Sequence, residues 1–405
     1  MIKILPFKGT RPFNEDAKNI IAPSTDHLSI ENIEIFKKNN YWNYLKILNP
    51  VGQLKERDSL TEAKLHFEEM KKNEVIKQDS LQHFYIYQID FNNHTQLGFL
   101  CLTNIEDFIN KKIKAHEKIY ENRMNERAEQ MDNIKTQIGP IYVSYNSNKE
   151  IDNLLEINSK NTPDYDFESF DNSIHKLWCI KDKNFHNILI DKFQSVDYLY
   201  IADGHHRMGA MTKIAKKNEL NKQKFNHVMV AAFPAYQSKI YDYNRVIRDL
   251  NGLDKKQFLK LLSNDFIIKK QSSSFKPRKK NQFGMYHENE WYSLEFIAKI
   301  KTDSILDNLD INILNNYCLK KHLNIKDVNN DERIRFIAGC HGLDALIKKV
   351  NENEDSVAFS IFPTQMSDVI NVADNNLTMP PKTTWFDPKP LDGLVVYEFD
   401  QNENK

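Results

Sequence analysis

The sequence predicts a mixed α/β (α+β) fold, and three features carry that prediction. Strand-like apolar stretches alternate with amphipathic helical ones through the first 236 residues. One of these strands, Val196 to Ile201, runs through Asp203-Gly204 straight into a helix, Met208 to Leu220. Beyond Gln237 the pattern changes to hairpins with fewer helices. At 405 residues the chain is long enough for two domains, placed at 1–236 and 237–405.

The elements follow in order. Ile2 to Phe7 and Asn19 to Ala22 read as short extended pieces punctuated by Pro6, Gly9, Pro12 and Pro23. Ser29 has the character of a helix N-cap, Tyr44 to Leu48 that of a strand, and Ser59 to Asn73 that of an amphipathic helix. His83 to Ile89 alternates as a strand does, with Leu97 to Leu102 as its partner. Ile105 to Ile138 is charged and helical throughout, closing at Gly139-Pro140. Ile141 to Tyr145, Lys176 to Ile180 and the Val- and Ala-rich His227 to Phe233 are strands. In the second part Lys255 to Leu262, Ile311 to Leu323 and Gly342 to Val350 are helices. Phe283 to Phe296 is a hairpin turning at His287 to Glu290, and Ser356 to Phe362 and Gly393 to Phe399 are strands.

Charge and composition exclude several classes. The 56 Lys and Arg balance 56 Asp and Glu, which disfavours a protein that coats nucleic acid or an anionic membrane. No apolar run reaches the roughly 18–20 residues of a spanning helix. The polar turn directly after Met1-Ile2-Lys3-Ile4-Leu5-Pro6 does not resemble a secretory signal, so a cytoplasmic location is expected. The four cysteines lack paired spacing and are expected as buried reduced thiols. There is no Walker A loop, dinucleotide fingerprint or nucleophile elbow.

Glycine is scarce, 11 residues where about 29 would be usual, so each one present calls for a backbone reason. That focuses attention on Asp203-Gly204-His205-His206-Arg207. The first amides of a helix have no internal partners and lie at the positive end of its dipole. Gly204 permits a sharp turn and a close ligand approach, His205 and His206 add donors, and Arg207 can grip phosphate oxygens through two parallel hydrogen bonds. Asp203 can ligate magnesium or accept a proton from a substrate hydroxyl. The plainer alternative has Asp203 as a helix cap and the histidines as core or surface residues.

Two further stretches could join this corner. In the charged segment His116, Tyr120, Arg123 and Arg127 share a face at helical spacing, with Glu117 beside them, and the arginine pair at four-residue separation calls for an anion, either a ligand or Glu121, Glu126 and Glu129 along the helix surface. The loop Met379 to Pro390 is stiffened by prolines, either to hold Lys382 with the hydroxyls of Thr383 and Thr384 ready for an anionic group or simply as a packing segment. Asn244-Arg245 follows a strand and offers another cation, with a surface salt bridge as its plainer reading.

Ala22-Pro23-Ser24-Thr25-Asp26, His116-Glu117, Gly139-Pro140-Ile141, Ala202 to Arg207, Asn244-Arg245 and Met379 to Thr384 together resemble the domain of unknown function 1015 family over almost the whole chain. The Asp-Gly-His-His-Arg element is also similar to that of the ParB and sulfiredoxin superfamily, particularly its free-serine kinases. This resemblance implies a ParB/sulfiredoxin-like nucleotide-binding core in residues 1–236 and an α+β elaboration in 237–405 that lends the Pro-rich loop to the site. It further implies ATP or ADP with Mg2+ as cofactors, and a small-molecule substrate and a nucleotide as partners, with no membrane and no nucleic acid. The function so implied is phosphotransfer to the hydroxyl of a small polar metabolite, free L-serine first among them. Asp203 and Glu117 are then catalytic, with Asp203 also the metal ligand. Gly204, His205, His206, Arg207 and Lys382 bind phosphate, and His116, Arg123, Arg127, Asn244, Arg245 and Thr383 clamp the substrate or anion. The alternative is a ParB-like nucleotide-binding regulatory module without kinase activity.

Overall fold

The computed structural model describes residues 1–13, 16–22, 29–48, 56–218, 225–300, 302, 304–352 and 356–399. It is a mixed α/β structure that divides into two compact units. The first comprises 1–115, 119–238 and 388–405, and the second 116–118 and 239–387.

The first unit is built on a sheet that has nine strands among the described residues. Their spatial order is Ile113–Lys114, Leu199–Asp203, Ile141–Tyr145, His227–Pro234, His94–Asn104, Phe84–Phe91, Ile174–Ile180 and Tyr165–Glu168, with Ile4–Leu5 added beside His94–Asn104. Pairing is antiparallel except for Leu199–Asp203 on Ile113–Lys114 and His227–Pro234 on Ile141–Tyr145. The apolar runs that predicted the central strands are near-continuous because both faces are covered: Phe84 through Tyr87 are all buried. A second cluster, including Phe36, Tyr44, Phe67, Met70, Ile134 and Val396, packs the helices Ile30–Asn39, Glu56–Lys72 and Glu121–Ile134. Ser29 caps the first of these helices by accepting from the Asn32 amide at 3.1 Å, as its sequence position predicts.

The second unit carries an antiparallel sheet in the order Phe266–Gln271, Glu290–Phe296, Gln282–His287, Val357–Ile361, Tyr243–Ile247 and Ile334–Ala338. Its hairpin turns at Glu288 and Asn289, both at positive φ (46° and 59°), the two-residue geometry that matches strand twist. Helix Lys255–Leu262 opens with a capping box between Asp254 and Gln257. Helix Gly342–Val350 covers one face of the sheet through Leu346 and Val350 against Val246, Tyr286, Trp291 and Ala358.

Four expectations are corrected. Tyr44 to Leu48 is not a strand but the short helix Leu45–Leu48, started by Asn43, whose Oδ1 accepts from the Leu45 amide at 2.8 Å. Ala17–Ile20 is helical where an extended piece was expected, and Gly393 to Phe399 contributes only the short strand Tyr397–Glu398. The stretch Ile105 to Ile138 is not one helix. Helix Ile105–Ile109 gives way to strand Ile113–Lys114, and a new helix, Glu121–Ile134, ends at Lys135 in the left-handed region. The strand forms because Ile113 is buried and pairs with Leu199, so tertiary pairing outweighs the helix propensity of the segment. Residues 23–26 of the Ala22-Pro23-Ser24-Thr25-Asp26 motif lie outside the described residues, as do Glu219 and Leu220 at the end of the expected helix. None of the four cysteines is in a disulfide; Cys101 and Cys318 are buried, Cys179 and Cys340 partly so. Among the described residues no helix is long and apolar enough to cross a membrane.

Candidate phosphate-binding corner

Strand Leu199–Asp203 delivers its last residue to an irregular edge. Its ladder with Ile141–Tyr145 shifts register between Ile201 and Asp203, which re-aims the aspartate at the strand end. Gly204 follows at φ 97°, ψ 24°, a left-handed conformation that favours glycine, and helix His205–Lys217 begins at once. As the N-cap, Gly204 supplies no side-chain acceptor to the first amides of that helix.

Around this turn the structure assembles an array of alternating charges. Arg207 Nη2 donates to Asp203 Oδ2 at 3.1 Å, and Arg207 Nη1 donates to Asp392 Oδ1 at 2.9 Å. Lys389 Nζ stands 3.3 Å from Asp203 Oδ1. These side chains retain 19–31% of their surface, so the array is sheltered but within reach of a ligand. Burial opposes the ionisation of Asp203, yet Lys389 and then Arg207 overcome it and hold its carboxyl well below the usual range. Burial likewise works against the charge of Arg207, and the carboxylates of Asp392 and Asp203 raise its pKa in spite of it. Gly139 belongs to the same arrangement, because a Cβ there would collide with both Arg207 Nη1 and Asp392 Oδ1.

Arg127, on helix Glu121–Ile134, brings a second guanidinium. Its Nη1 donates to Gln130 Oε1 at 3.1 Å, and Gln130 in turn donates to the Ile47 carbonyl at 2.5 Å. Loss of water around the guanidinium, followed by repulsion from Arg207, lowers the Arg127 pKa. Arg127, Gln130, Gln137, Gly139, Arg207 and Asp392 contribute to the lining of a cavity of about 90 Å³. Arg123, on the same helix, is exposed.

The two histidines of the motif are neutral. His205 is 2% exposed, and burial pulls its pKa down to about 4 against the attraction of Asp203. His206 Nε2 accepts from the Tyr120 amide at 3.2 Å, so its proton sits on Nδ1, and its ring stacks on that of Tyr120 at 6.0 Å. The positive charge of the corner therefore resides on Arg207, Lys389 and Arg127.

The remaining expected residues fall in the second unit. The helical face proposed for His116, Tyr120, Arg123 and Arg127 does not exist: the helix starts at Glu121, Tyr120 is its N-cap, and His116 precedes it. His116 is instead buried against Phe386, its Nε2 3.2 Å from Thr384 Oγ1, and that hydroxyl donates to Glu117 Oε1 at 3.4 Å. Arg245 is fully buried, not a surface ion pair. It donates to the Tyr243 carbonyl at 2.6 Å and the Lys382 carbonyl at 2.8 Å, with its guanidinium 4.5 Å from the Phe336 ring. Asn244 joins Asp242 and the Ile361 amide. Thr383 donates to the Pro380 carbonyl at 2.6 Å, and Lys382 is exposed at φ 59°.

Sequence reasoning missed Lys389, Asp392 and Gln130. One signal for Asp392 was present: Asp392-Gly393 is the second of two Asp-Gly pairs in a chain of 11 glycines, and the first is Asp203-Gly204. As for magnesium, both oxygens of Asp203 face cations. Among the described residues no group of three or more His, Cys, Asp and Glu side chains is arranged to hold a metal. The described residues do not form a resident magnesium site.

Comparison with solved structures finds distant likenesses. SbnI with a C-terminal truncation, from Staphylococcus aureus, aligns over 75% of this chain and 90% of its own at 10% identity and a TM-score of 0.39. A free serine kinase variant in complex with AMP aligns over 73% and 92% at 14% identity and a TM-score of 0.37. A conserved hypothetical protein from Pyrococcus furiosus aligns over 74% and 95% at 12% identity and a TM-score of 0.36. No curated protein matches the chain. The family model described as protein of unknown function (DUF1015) matches residues 4–312, and the chain belongs to that family.

Proposed function

We propose that the corner at Asp203-Gly204-Arg207 binds the phosphates of ATP or ADP and that the protein transfers a phosphoryl group to the hydroxyl of a small polar metabolite. The observation that carries this reading is Arg207, a sheltered guanidinium in the first turn of a helix, with Lys389 and Arg127 as further cations of the corner. Phosphate oxygens would take the place of the Asp392 carboxylate on Arg207 and accept from the first amides of the helix. A cavity of about 90 Å³ is far smaller than the roughly 300–1,000 Å³ of pockets that enclose whole ligands. It suits a phosphate-sized part of the donor.

With its pKa held low, Asp203 is a weak base. It suits orienting an acceptor hydroxyl in a loose phosphoryl-transfer transition state, where positioning and charge neutralisation matter more than proton removal. The motif's similarity to that of free-serine kinases names L-serine as the first acceptor to try.

A second reading, a nucleotide-binding regulatory module without transfer chemistry, draws on two observations: Arg207 is already compensated by two carboxylates, and both motif histidines are neutral. The two readings separate on incubation of the full chain with labelled ATP or ADP, magnesium, and a pool of amino acids and sugars. A new phosphorylated metabolite that disappears in Asp203→Asn supports transfer. Nucleotide retention without turnover supports the module, and retention of neither nucleotide removes both.

A further inference from the structure

Lys389 and Asp392, the partners of Asp203 and Arg207, sit on one short segment, and residues of the first unit, two of them in the large sheet, tie that segment down at several points. Gln96, wholly buried, donates to the Pro388 carbonyl at 3.1 Å. The Leu391 amide donates to Tyr87 Oη at 3.2 Å. The Ala22 amide donates to the Asp392 carbonyl at 2.9 Å and the Gly393 amide to the Ile138 carbonyl at 3.1 Å.

Tyr87 is itself the end of a buried polar chain. Its hydroxyl lies 2.7 Å from His175 Nδ1, and His175 Nε2 lies 2.6 Å from Ser173 Oγ, which donates to Asp171 Oδ1 at 2.5 Å. The proton directions follow from the carboxylate. Because the Ser173 hydroxyl donates to Asp171, it accepts from His175 Nε2–H, which leaves Nδ1 as an acceptor. The Tyr87 hydroxyl therefore donates to Nδ1 and turns a lone pair towards the Leu391 amide. His175 must be neutral for this, and burial does pull its pKa down to about 4. Its ring lies between those of Tyr87 and Phe167, at 5.8 and 5.7 Å. Ser173, His175 and Tyr87 are each at most 1% exposed.

An apolar ring at position 175 would fill this space without the cost of burying an imidazole. What the imidazole adds is direction, since a tyrosine hydroxyl with no fixed acceptor could rotate and offer its hydrogen to the Leu391 N–H instead of a lone pair. We infer that Asp171, Ser173, His175 and Tyr87 form a positioning relay that fixes the segment bearing Lys389 and Asp392 against Asp203 and Arg207. Its value to function rests on the phosphate-binding reading above; its geometry does not.

Hydrogen–deuterium exchange on the full chain without ligand tests the relay. In Tyr87→Phe the amides of 389–393 and of the 203–207 turn exchange about 5- to 10-fold faster, the population change that follows from losing one net hydrogen bond. Strands elsewhere in the sheet keep their protection. Ser173→Ala, which only loosens the imidazole, gives a smaller change in the same two segments and carries the test should Tyr87→Phe not fold. Unchanged exchange in 389–393, or a uniform acceleration over the whole sheet, overturns the relay. ADP and ATP titrations of the same wild-type protein decide the other question. If neither nucleotide binds while the two segments still respond to Tyr87→Phe, the phosphate reading fails and the positioning of Lys389 and Asp392 stands.

Discussion

Arg207 Nη1 donates to Asp392 Oδ1 at 2.9 Å although the two residues lie 185 positions apart. Since Nη2 of the same guanidinium serves Asp203, an incoming phosphate has to share Arg207 with two carboxylates. Asp392 is therefore a built-in competitor. Asp392→Asn is expected to tighten ADP binding by about 10-fold at low salt, the ratio for roughly 1.4 kcal/mol, with a melting temperature only a few degrees lower. Calorimetric titration reads the affinity and a calorimetric scan the melting temperature, each against wild type, and an unchanged or weaker affinity would show that Asp392 does not compete.

Removing the guanidinium gives the complementary expectation. In Arg207→Met the carboxylates of Asp203 and Asp392 lose their shared partner. Since both keep nearly a third of their surface, the cost is about 1–2 kcal/mol and not the full penalty of a buried charge. The double variant Arg207→Met with Asp392→Asn is expected to recover about half of that loss, because the two sites share one interaction. Neither variant binds nucleotide. Urea titrations that return simple additivity would mean the three groups are not coupled.

How far this corner was legible in the sequence depends on distance along the chain. Asp203, Gly204 and Arg207 form one local strand–turn–helix pattern, and local pattern is what glycine scarcity and helix-terminus chemistry can read. Lys389 and Asp392 join them only through the return of the C-terminal segment to the first unit, which no periodicity encodes. The helix expected from Ile105 to Ile138 failed for a related reason: its charged, helix-favouring residues were read as continuous, while Ile113 was recruited as an edge strand beside Leu199. Arg245 read as a surface cation because sequence alone does not show that a strand residue faces a covered side of a sheet. The hairpin at Glu288-Asn289 was visible because both its alternation and its turn are local.

Gly204 offers the sharpest backbone test. At φ 97° an L-residue is strained, and a Cβ built there would lie 3.3 Å from Arg207 Nε, close enough to push the guanidinium. Gly204→Ala is expected to cost about 1–2 kcal/mol, or about 2–4 °C per kcal/mol in melting temperature for a unit of this size. Nucleotide binding should fall by more than about 10-fold, beyond what the stability loss explains. Alanine tolerated with full binding would argue against phosphate approaching the backbone at this turn.

The buried imidazoles set the acid limit of the first unit. His205 and His175 are pulled down to about 4 chiefly by burial, and His66 to about 4 by burial and then by Lys46. Unfolded, each would titrate near 6.5. A base whose folded pKa is depressed contributes stability fully present above its unfolded value, and that stability is lost as pH falls from about 6.5 through about 4, because the unfolded chain takes up the proton first. Asp203, also depressed, acts with the same sign but at lower pH, below the ordinary carboxylate value. Burial lowers His83 as well, so His205→Gln removes one of four depressed imidazoles, and the decline in urea midpoint of the first unit between pH 6.5 and 4 should become shallower by about a quarter, with little change in slope above pH 7. A decline as steep as wild type would mean that His205 is charged in the folded protein, and the corner would then carry one more positive charge than its geometry implies.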